Sequence, residues 1–202
     1  MRLIGLTGGI ASGKSTVAGM LMRRGAALVD ADMLAREVVE LGTAGLAEIV
    51  AAFGPGVLRD DGSLDRTALG AIVFADEAAR QRLNAITHPR VGALMQERVA
   101  AALASEAPLV VVDVPLLFEN ARQDGFEGVM LVWIPAVLQL QRLVERDGWA
   151  EDEARHRLAA QMPIDDKLEL ATWVVDNSGP LADTEGQVDA WWADNVGAPS
   201  VL

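Results

Sequence analysis

The stretch GGIASGKS at residues 8–15 constrains this chain more than any other part of its sequence, because it satisfies the pattern G-x-x-x-x-G-K-[ST] at every fixed position. The apolar run at residues 2–7 predicts a strand before it. The spacing of apolar residues over 14–24 predicts a helix after it. Strand, glycine-rich loop and helix form the order that phosphate binding requires, so we expect a nucleoside triphosphate site in this segment, which we call the phosphate loop.

Each fixed residue of the phosphate loop has a physical role. Gly8 and Gly13 let the backbone turn tightly enough for successive amides to converge on phosphate oxygens, beside the positive end of the helix. Lys14 supplies the charge that reaches the β- and γ-phosphates, and the Ser15 hydroxyl is placed to ligate Mg²⁺. A chance match would be a structural glycine turn, which the flanking strand and helix disfavour.

The rest of the chain alternates predicted strands with predicted helices, which is typical of an α/β fold with a parallel sheet. Further strands are predicted at 26–29, inside the apolar run 108–119, at 128–134 and at 173–179. Further helices are predicted at 33–41, 137–146 and 151–162, with another near the C-terminus. Residues 42–105 are predicted to be a mostly helical insertion, broken by the turn formers of FGPGV and DDGS.

Composition favours one compact domain, since 202 residues with 51% hydrophobic content can bury a sizeable core. The chain contains no cysteine, which excludes disulfides and cysteine nucleophiles, and we expect a cytoplasmic protein. No signal-peptide pattern or membrane-spanning apolar run occurs, so no membrane association is expected. The formal net charge of -12 disfavours nucleic acid as a partner. The sequence does not specify an oligomer, and a monomer is favoured.

The segment DADMLAR supplies candidates for an acceptor site. Asp32 and Arg36 lie four residues apart, on one face of the predicted helix that follows the second strand. One carboxylate could orient or deprotonate an acceptor hydroxyl while Arg36 engages an anionic part of the same substrate. The alternative is helix capping by Asp30 or Asp32 together with a surface ion pair, and the spacing does not decide between them. Which aspartate lies closer to the acceptor also stays open.

Two other regions carry groups suited to phosphoryl transfer. Asp113 ends an apolar strand and resembles the carboxylate that steadies Mg²⁺ in phosphate-loop proteins, although such a residue is equally often a turn former. Arg142 and Arg146 precede a flexible Asp-Gly turn, so a closing lid could bring both guanidinium groups to the transferred phosphoryl. A solvated basic face is the alternative for this pair. His88, which precedes a proline, is equally well explained by a structural role.

The phosphate loop does not by itself separate kinases from GTPases or ATP-driven machines. A GTPase would carry an N-K-x-D element, which this sequence lacks. A mechanical ATPase is expected to be longer and to carry a sensor arginine apparatus, so that interpretation is weaker. A small-molecule kinase needs an acceptor pocket, a group for the hydroxyl proton and cations around the phosphoryl, and candidates for all three are present. A regulatory module that hydrolyses ATP slowly is the alternative from a different class.

The order and spacing of several segments resemble the dephospho-CoA kinase family. These segments are LTGGIASGKS, DADMLAR, THP, DVPLLFE, RDG, AAQMP and VVDNSG, and they extend the resemblance over about residues 3–192. The resemblance implies a single domain with a three-layer phosphate-loop kinase fold and a five-stranded parallel sheet. It divides the domain into a core (about 1–40, 106–136 and 170–202), a helical substrate-binding region (about 41–105) and a helical lid (about 137–168).

The resemblance also implies a reaction. ATP, with Mg²⁺, would donate its γ-phosphoryl group to the ribose 3′-hydroxyl of dephospho-CoA, which is the last step of coenzyme A synthesis. Another phosphate-loop small-molecule or nucleotide kinase is the alternative. The implied catalytic residues are Lys14, Asp32 as acceptor-side base and Arg142 as lid arginine.

Binding residues follow from the same resemblance, position by position. The expected ATP site contains Gly8, Gly9, Ala11, Ser12, Gly13, Lys14, Ser15, Thr16, Arg142 and Asn177. The expected dephospho-CoA site contains Asp32, Arg36, His88, Asp113, Leu116, Leu117, Phe118 and Glu119. Ser15 and Asp113 are the expected metal ligands.

Two positions depart from the family's pattern. Ala11 replaces an expected glycine, which is conservative if the backbone torsions there are ordinary for a non-glycine residue. Trp133 stands where a smaller or polar residue is expected, so we expect different packing at the end of its strand. Near the C-terminus, the adjacent Trp191 and Trp192 cannot share one helix face, and we expect at least one of them to be exposed or at a contact.

Overall fold

The computed structural model describes residues 2–197 and contains five strands and nine α-helices in that range. The strands are β1 (Arg2–Gly8), β2 (Ala27–Asp30), β3 (Leu109–Asp113), β4 (Val129–Trp133) and β5 (Trp173–Asp176). The helices are α1 (Lys14–Arg23), α2 (Ala31–Glu37), α3 (Ala44–Phe53), α4 (Arg66–Ala75), α5 (Glu77–Leu103), α6 (Ala136–Glu145), α7 (Glu151–Ala159), α8 (Ile164–Leu168) and α9 (Leu181–Asn195).

The strands are ordered β2-β3-β1-β4-β5, which places β1 at the centre of the sheet. β1 pairs in parallel with β3 on one side and β4 on the other, and β4 pairs in parallel with β5. The carboxyl ends of these parallel strands therefore lie at one edge, where open α/β sheets bind ligands. The phosphate loop leaves β1 at this edge, and Asp113 ends the neighbouring strand opposite Leu6. The predicted five-stranded α/β fold is confirmed.

The sheet core is apolar on both faces, as expected for parallel strands covered by helices. β3 is buried at all five of its positions. Burial of this apolar surface supplies the main favourable contribution to folding. The buried cluster contains Ile4, Leu6, Val17, Ala18, Met20, Leu21, Ala26, Leu109, Val111, Met130, Val132, Val175, Val188, Trp191 and Trp192.

Of the two alternatives for Trp191 and Trp192, exposure or a contact, exposure is wrong. Their exposed fractions are 9% and 3%. Helix α9 packs against both α1 and β5, and this two-sided cover buries residues that lie about 100° apart around the helix. Trp191 also contacts Trp173 edge to face, with ring centroids 5.3 Å apart. Helical spacing identifies which residues share a face, but it does not show how many faces a helix buries.

Two predicted helices have different bounds in the structure. The helix predicted at 33–41 spans Ala31–Glu37 because Asp30 caps it, with Oδ1 accepting from the amides of Asp32 (2.8 Å) and Met33 (3.1 Å). The helix predicted at 151–162 ends at Ala159, and the short α8 follows Pro163. Helix α8 was not anticipated, since five residues are too few for a clear helical period.

The chain divides into two compact units. Residues up to Val29 and those from Ala101 onward form the first unit, which holds the sheet core, the phosphate loop and the predicted lid region. Residues Asp30–Ala100 form the second unit, which is mostly helical and differs in bounds from the helical insertion predicted at 42–105. Its own apolar core contains Val38, Val39, Leu46, Ile49, Val57, Leu64 and Leu69. Within residues 2–197, no helix is both long and apolar enough to cross a membrane.

Candidate active site

The phosphate loop turns through two left-handed backbone positions, Ala11 (φ 59°) and Gly13 (φ 88°). The amide of Ser12 donates to the carbonyl of Gly9 at 3.1 Å, which closes the turn, and helix α1 begins at Lys14. A Cβ at position 13 would lie 2.1 Å from Asn177 Nδ2, so only glycine satisfies both the torsion and the space there. The loop thus directs a helix N-terminus and its amides toward the sheet edge.

Ala11 does not have ordinary torsions for a non-glycine residue. Its φ of 59° lies in the left-handed region, where the Cβ approaches the neighbouring carbonyl and costs about 1 kcal/mol. The replacement of the family's glycine by Ala11 is therefore not conservative, since it would be so only with ordinary torsions at this position. The surrounding contacts must hold the loop in a conformation that residue 11 does not favour.

Lys14 forms an ion pair with Asp113, joining Nζ to Oδ1. Asp113 is 4% exposed at the end of β3, and a buried carboxylate of this kind requires a charged or hydrogen-bonding partner. Because β3 neighbours β1, the pair connects the phosphate loop to the adjacent strand. The structure thus brings together two predicted site residues that are 99 positions apart in the sequence.

Ser15 and Asp113 offer oxygen donors that suit Mg²⁺. Ser15 is exposed in the first turn of α1, and hydroxyl and carboxylate oxygens are ligands that Mg²⁺ prefers. Within the described residues, no group of three or more His, Cys, Asp or Glu side chains could hold a metal ion. Mg²⁺ is usually held by one or two protein oxygens while phosphates and water complete its shell, and the Ser15 and Asp113 oxygens fit that pattern.

Arg142 contacts the phosphate loop from helix α6. Its Nη1 donates to the carbonyl of Ala11 at 3.3 Å and its Nη2 to the carbonyl of Asn177 at 2.9 Å. Asn177 in turn donates through Nδ2 to the carbonyl of Ser12 at 2.8 Å, and its Oδ1 accepts from Thr184 at 2.9 Å. Two predicted ATP-site side chains therefore donate hydrogen bonds to carbonyls of the loop, Arg142 to Ala11 and Asn177 to Ser12. An open groove of about 310 Å³ adjoins them, lined by Gly13, Thr16, Arg142, Arg146, Asn177, Gly179 and Leu181.

Arg146 has a different environment from Arg142. Its Nε donates to Asp147 Oδ1 at 2.7 Å, on a side chain that is 63% exposed. This hydrogen bond lowers the pKa of the Asp147 carboxyl and raises the pKa of the Arg146 guanidinium. The structure therefore divides the arginine pair: Arg142 engages the loop backbone, whereas Arg146 pairs with its sequence neighbour in solvent.

Two glutamines that the sequence interpretation did not single out also contact the loop. Gln139 Nε2 donates to the carbonyl of Ile10 at 2.7 Å, and the amide of Ile10 donates to Gln161 Oε1 at 3.0 Å. Gln139 is 3% exposed although α6 is amphipathic, and a buried amide on an apolar helix face is a signal that could have identified it. Gln161 lies in the AAQMP segment, which carried the resemblance without an assigned role.

The predicted acceptor residues of the second unit lie on helix surfaces. Asp32 and Arg36 are both exposed in α2, one turn apart. Asp30 supplies the cap, so the capping alternative is satisfied without the Asp32 carboxylate. His88 is exposed in α5, directly before Pro89. Roles of these residues in acceptor binding stay predictions.

The segment PLLFE places its side chains in different environments. Leu116 is 39% exposed, whereas Leu117 is fully buried and Phe118 is 6% exposed. A Cβ at Gly5 of β1 would lie 2.7 Å from Leu117 Cδ1, so Leu117 packs directly beneath the central strand. Of these three predicted lining residues, only Leu116 offers substantial surface to a ligand in this conformation.

Glu119 joins this segment to the end of the predicted lid region. Its Oε1 lies 2.7 Å from Lys167 Nζ and accepts from the Met162 amide at 3.2 Å. Lys167 is fully buried, and its alignment with Glu119 indicates charge attraction rather than a well-directed hydrogen bond. Nearby, the Trp133 indole donates to Asp165 Oδ1 at 2.9 Å. The unexpected tryptophan at the end of β4 therefore anchors the start of α8.

Comparison with known proteins identifies one family. A sequence-family model described as dephospho-CoA kinase matches residues 2–183. The dephospho-CoA kinase of Anaeromyxobacter dehalogenans is 53% identical over 194 residues, covering 96% of this chain and 92% of that protein.

Solved structures are similar to this chain over nearly its whole length. The protein TT1252 from Thermus thermophilus is 38% identical with a TM-score of 0.83, covering 97% of this chain and 98% of that one. The dephospho-CoA kinase from Campylobacter jejuni is 27% identical with a TM-score of 0.74, covering 96% of each chain. The similarity extends over the sheet, the helical insertion and the predicted lid region.

The strain at Ala11 predicts an increase in stability for Ala11→Gly. Glycine removes the left-handed penalty, so the free energy of unfolding should rise by about 1 kcal/mol in urea titrations without nucleotide. Ala190→Gly is the matched control, because Ala190 is exposed in α9 and its replacement should lower that free energy by about 1 kcal/mol. Equal destabilisation by both substitutions would contradict the assigned strain.

Proposed function

Because this chain belongs to the dephospho-CoA kinase family, we propose that it transfers the γ-phosphoryl group of ATP to the ribose 3′-hydroxyl of dephospho-CoA. The observation that carries the proposal is the family match over residues 2–183, which includes an intact phosphate loop. The reaction releases ADP and coenzyme A and is the last step of coenzyme A synthesis.

The donor half of the site is built to neutralise charge. Phosphoryl transfer needs little covalent help from the protein, and rate comes mainly from positioning and electrostatic stabilisation. Loop amides and Lys14 are suited to the β- and γ-phosphates, and the Arg142 guanidinium lies within reach of the loop backbone. Magnesium bound by Ser15, with Asp113 steadying its water shell, would further offset phosphate charge. The groove beside Asn177 is the proposed adenine site.

The acceptor half depends on Asp32. An exposed carboxylate in the first turn of a capped helix can accept a hydroxyl proton as the phosphoryl group departs from ATP. Arg36, one turn later, is placed to engage an anionic group of the same substrate. His88, Leu116 and Glu119 are assigned to dephospho-CoA by family resemblance, while buried Leu117 and Phe118 support the segment from below.

The remaining assignments concern the cellular compartment, the oligomeric state and the partners of the protein. We propose a cytoplasmic enzyme, in keeping with a sequence that contains no cysteine, and a monomer. The net charge of -12 continues to disfavour nucleic acid as a partner.

An acceptor screen tests the proposed substrate. The enzyme is incubated with Mg²⁺ and ATP plus dephospho-CoA, a nucleoside 5′-monophosphate or shikimate, and ADP release is measured. We expect strong stimulation by dephospho-CoA only. Stimulation by another acceptor would favour a different small-molecule kinase, and hydrolysis that ignores every acceptor would favour a regulatory ATP-binding module.

The base assignment predicts that Asp32→Asn loses turnover while ATP still binds. Removing a general base costs about 10²- to 10⁴-fold in kcat, and the amide keeps the size of the carboxylate. Asp30→Asn is the matched control, because asparagine also caps helices and kcat should stay near that of the unmodified enzyme. The measurements are steady-state kinetics and ATP titration calorimetry. Normal turnover in Asp32→Asn would remove Asp32 from the mechanism.

A further inference from the structure

The backbone N–H and C=O groups of Ile10 are each hydrogen-bonded by a glutamine side chain. Gln139 reaches its carbonyl from helix α6, with 2.7 Å between Nε2 and the oxygen. Gln161, which follows α7, accepts from its amide, with 3.0 Å between the nitrogen and Oε1. Both glutamines belong to the predicted lid region, whereas Ile10 lies inside the phosphate loop. The lid region therefore contacts the loop backbone through neutral side chains as well as through Arg142.

The chemistry of the peptide fixes the orientation of both amide groups. A carbonyl only accepts, so Gln139 must present its NH₂ group to Ile10, and a backbone amide only donates, so Gln161 must present its oxygen. The two glutamines are therefore chemically opposite, one a donor and the other an acceptor. Because of this difference, a substitution by glutamate removes the hydrogen bond at position 139 but can keep it at position 161.

The backbone next to Ile10 is closely packed on the side of Gly9. A Cβ at Gly9 would lie 2.2 Å from Gln139 Nε2 and 3.1 Å from the Ile164 side chain. On the other side of Ile10, Ala11 has the left-handed φ of 59°. A strained backbone position persists only where its surroundings hold it in place. The two hydrogen bonds to Ile10 act directly beside that strained residue.

Each glutamine is itself held in place. Gln139 is 3% exposed, and Arg142, three residues later on the same helix face, bonds the next loop carbonyl at Ala11. Gln161 is followed by Met162, whose amide donates to Glu119, and Glu119 also pairs with the buried Lys167. The contacts therefore run from the segment after β3, through the end of the lid region, to Ile10.

We propose that Gln139 and Gln161 are positioning residues that hold the phosphate loop between Gly9 and Ala11 in the conformation that binds the donor phosphates. The inference deepens the proposed function and rests on its nucleotide donor, though not on the identity of the acceptor. Glu119 and Lys167 support this arrangement by fixing the backbone next to Gln161.

The test measures ATP dissociation constants by titration calorimetry with Mg²⁺ and no acceptor, for glutamate and methionine at each position. At 139, Met removes the donor, whereas Glu sets a carboxylate against the Ile10 carbonyl, so Gln139→Glu should bind ATP at least about tenfold more weakly than Gln139→Met. At 161, Glu keeps the acceptor and Met removes it, so Gln161→Glu should bind more tightly than Gln161→Met. The predicted order therefore reverses between the two positions.

Gln141→Glu is the control for added charge, because Gln141 is exposed on the same helix α6 and contacts Glu145 instead of the loop. We expect its ATP affinity to lie within about threefold of the unmodified protein. The proposal would be overturned if the Glu and Met variants had the same order of ATP affinity at both positions. It would also be overturned if the variants at 139 and 161 bound ATP no more weakly than Gln141→Glu.

Folding is checked by circular dichroism and thermal melting without nucleotide. A purely structural role would lower the melting temperature of the variants and leave the ATP affinity of the folded fraction unchanged. If Gln139→Glu does not fold, the two variants of Gln161 still test the proposal. Tighter ATP binding by Gln161→Met than by Gln161→Glu would contradict it. Because no acceptor is present, failure of the acceptor screen and failure of this inference are separate results.

Discussion

The site depends on holding a glycine-rich backbone in a shape that it does not strongly prefer. Ala11 and Gly13 both have left-handed torsions. Side chains from elsewhere in the chain donate hydrogen bonds to three carbonyls of the loop: Gln139 to Ile10, Arg142 to Ala11 and Asn177 to Ser12. Each such bond contributes about 1 kcal/mol, and together they exceed the strain of one alanine in the left-handed region.

The fold explains why these side chains reach the loop. β1 lies at the centre of the sheet, so the loop that follows it has neighbours on both sides. β3 brings Asp113 to Lys14 on one side, while β4 leads into α6 and β5 leads to Asn177 on the other. Parallel pairing places the carboxyl ends of these strands at one edge. Donor-site residues separated by more than 100 positions are thereby assembled around a single turn of backbone.

Local sequence was sufficient to predict the strands, most helices and the phosphate loop, because those features depend on apolar spacing and on glycine at fixed offsets. It left the choice between Asp30 and Asp32 open, since either could cap a helix and only the backbone geometry assigns Asp30 that role. It missed the glutamines at 139 and 161. The place of Gln139 on the apolar face of α6 was a usable signal, whereas no local pattern marks Gln161 until its long-range partner, the Ile10 amide, is known. The buried Trp192 likewise depends on the packing of α9 on two elements.

Protein contacts shape the phosphate loop, with the Ile10 amide bound to Gln161. Hydrogen exchange at the Ile10 amide, followed by NMR in the nucleotide-free protein, measures that contact directly. We expect exchange slowed at least about tenfold relative to an exposed peptide, with the protection lost in Gln161→Met. Exchange at the exposed-peptide rate in the unmodified protein would show that side chains do not hold the loop in this way.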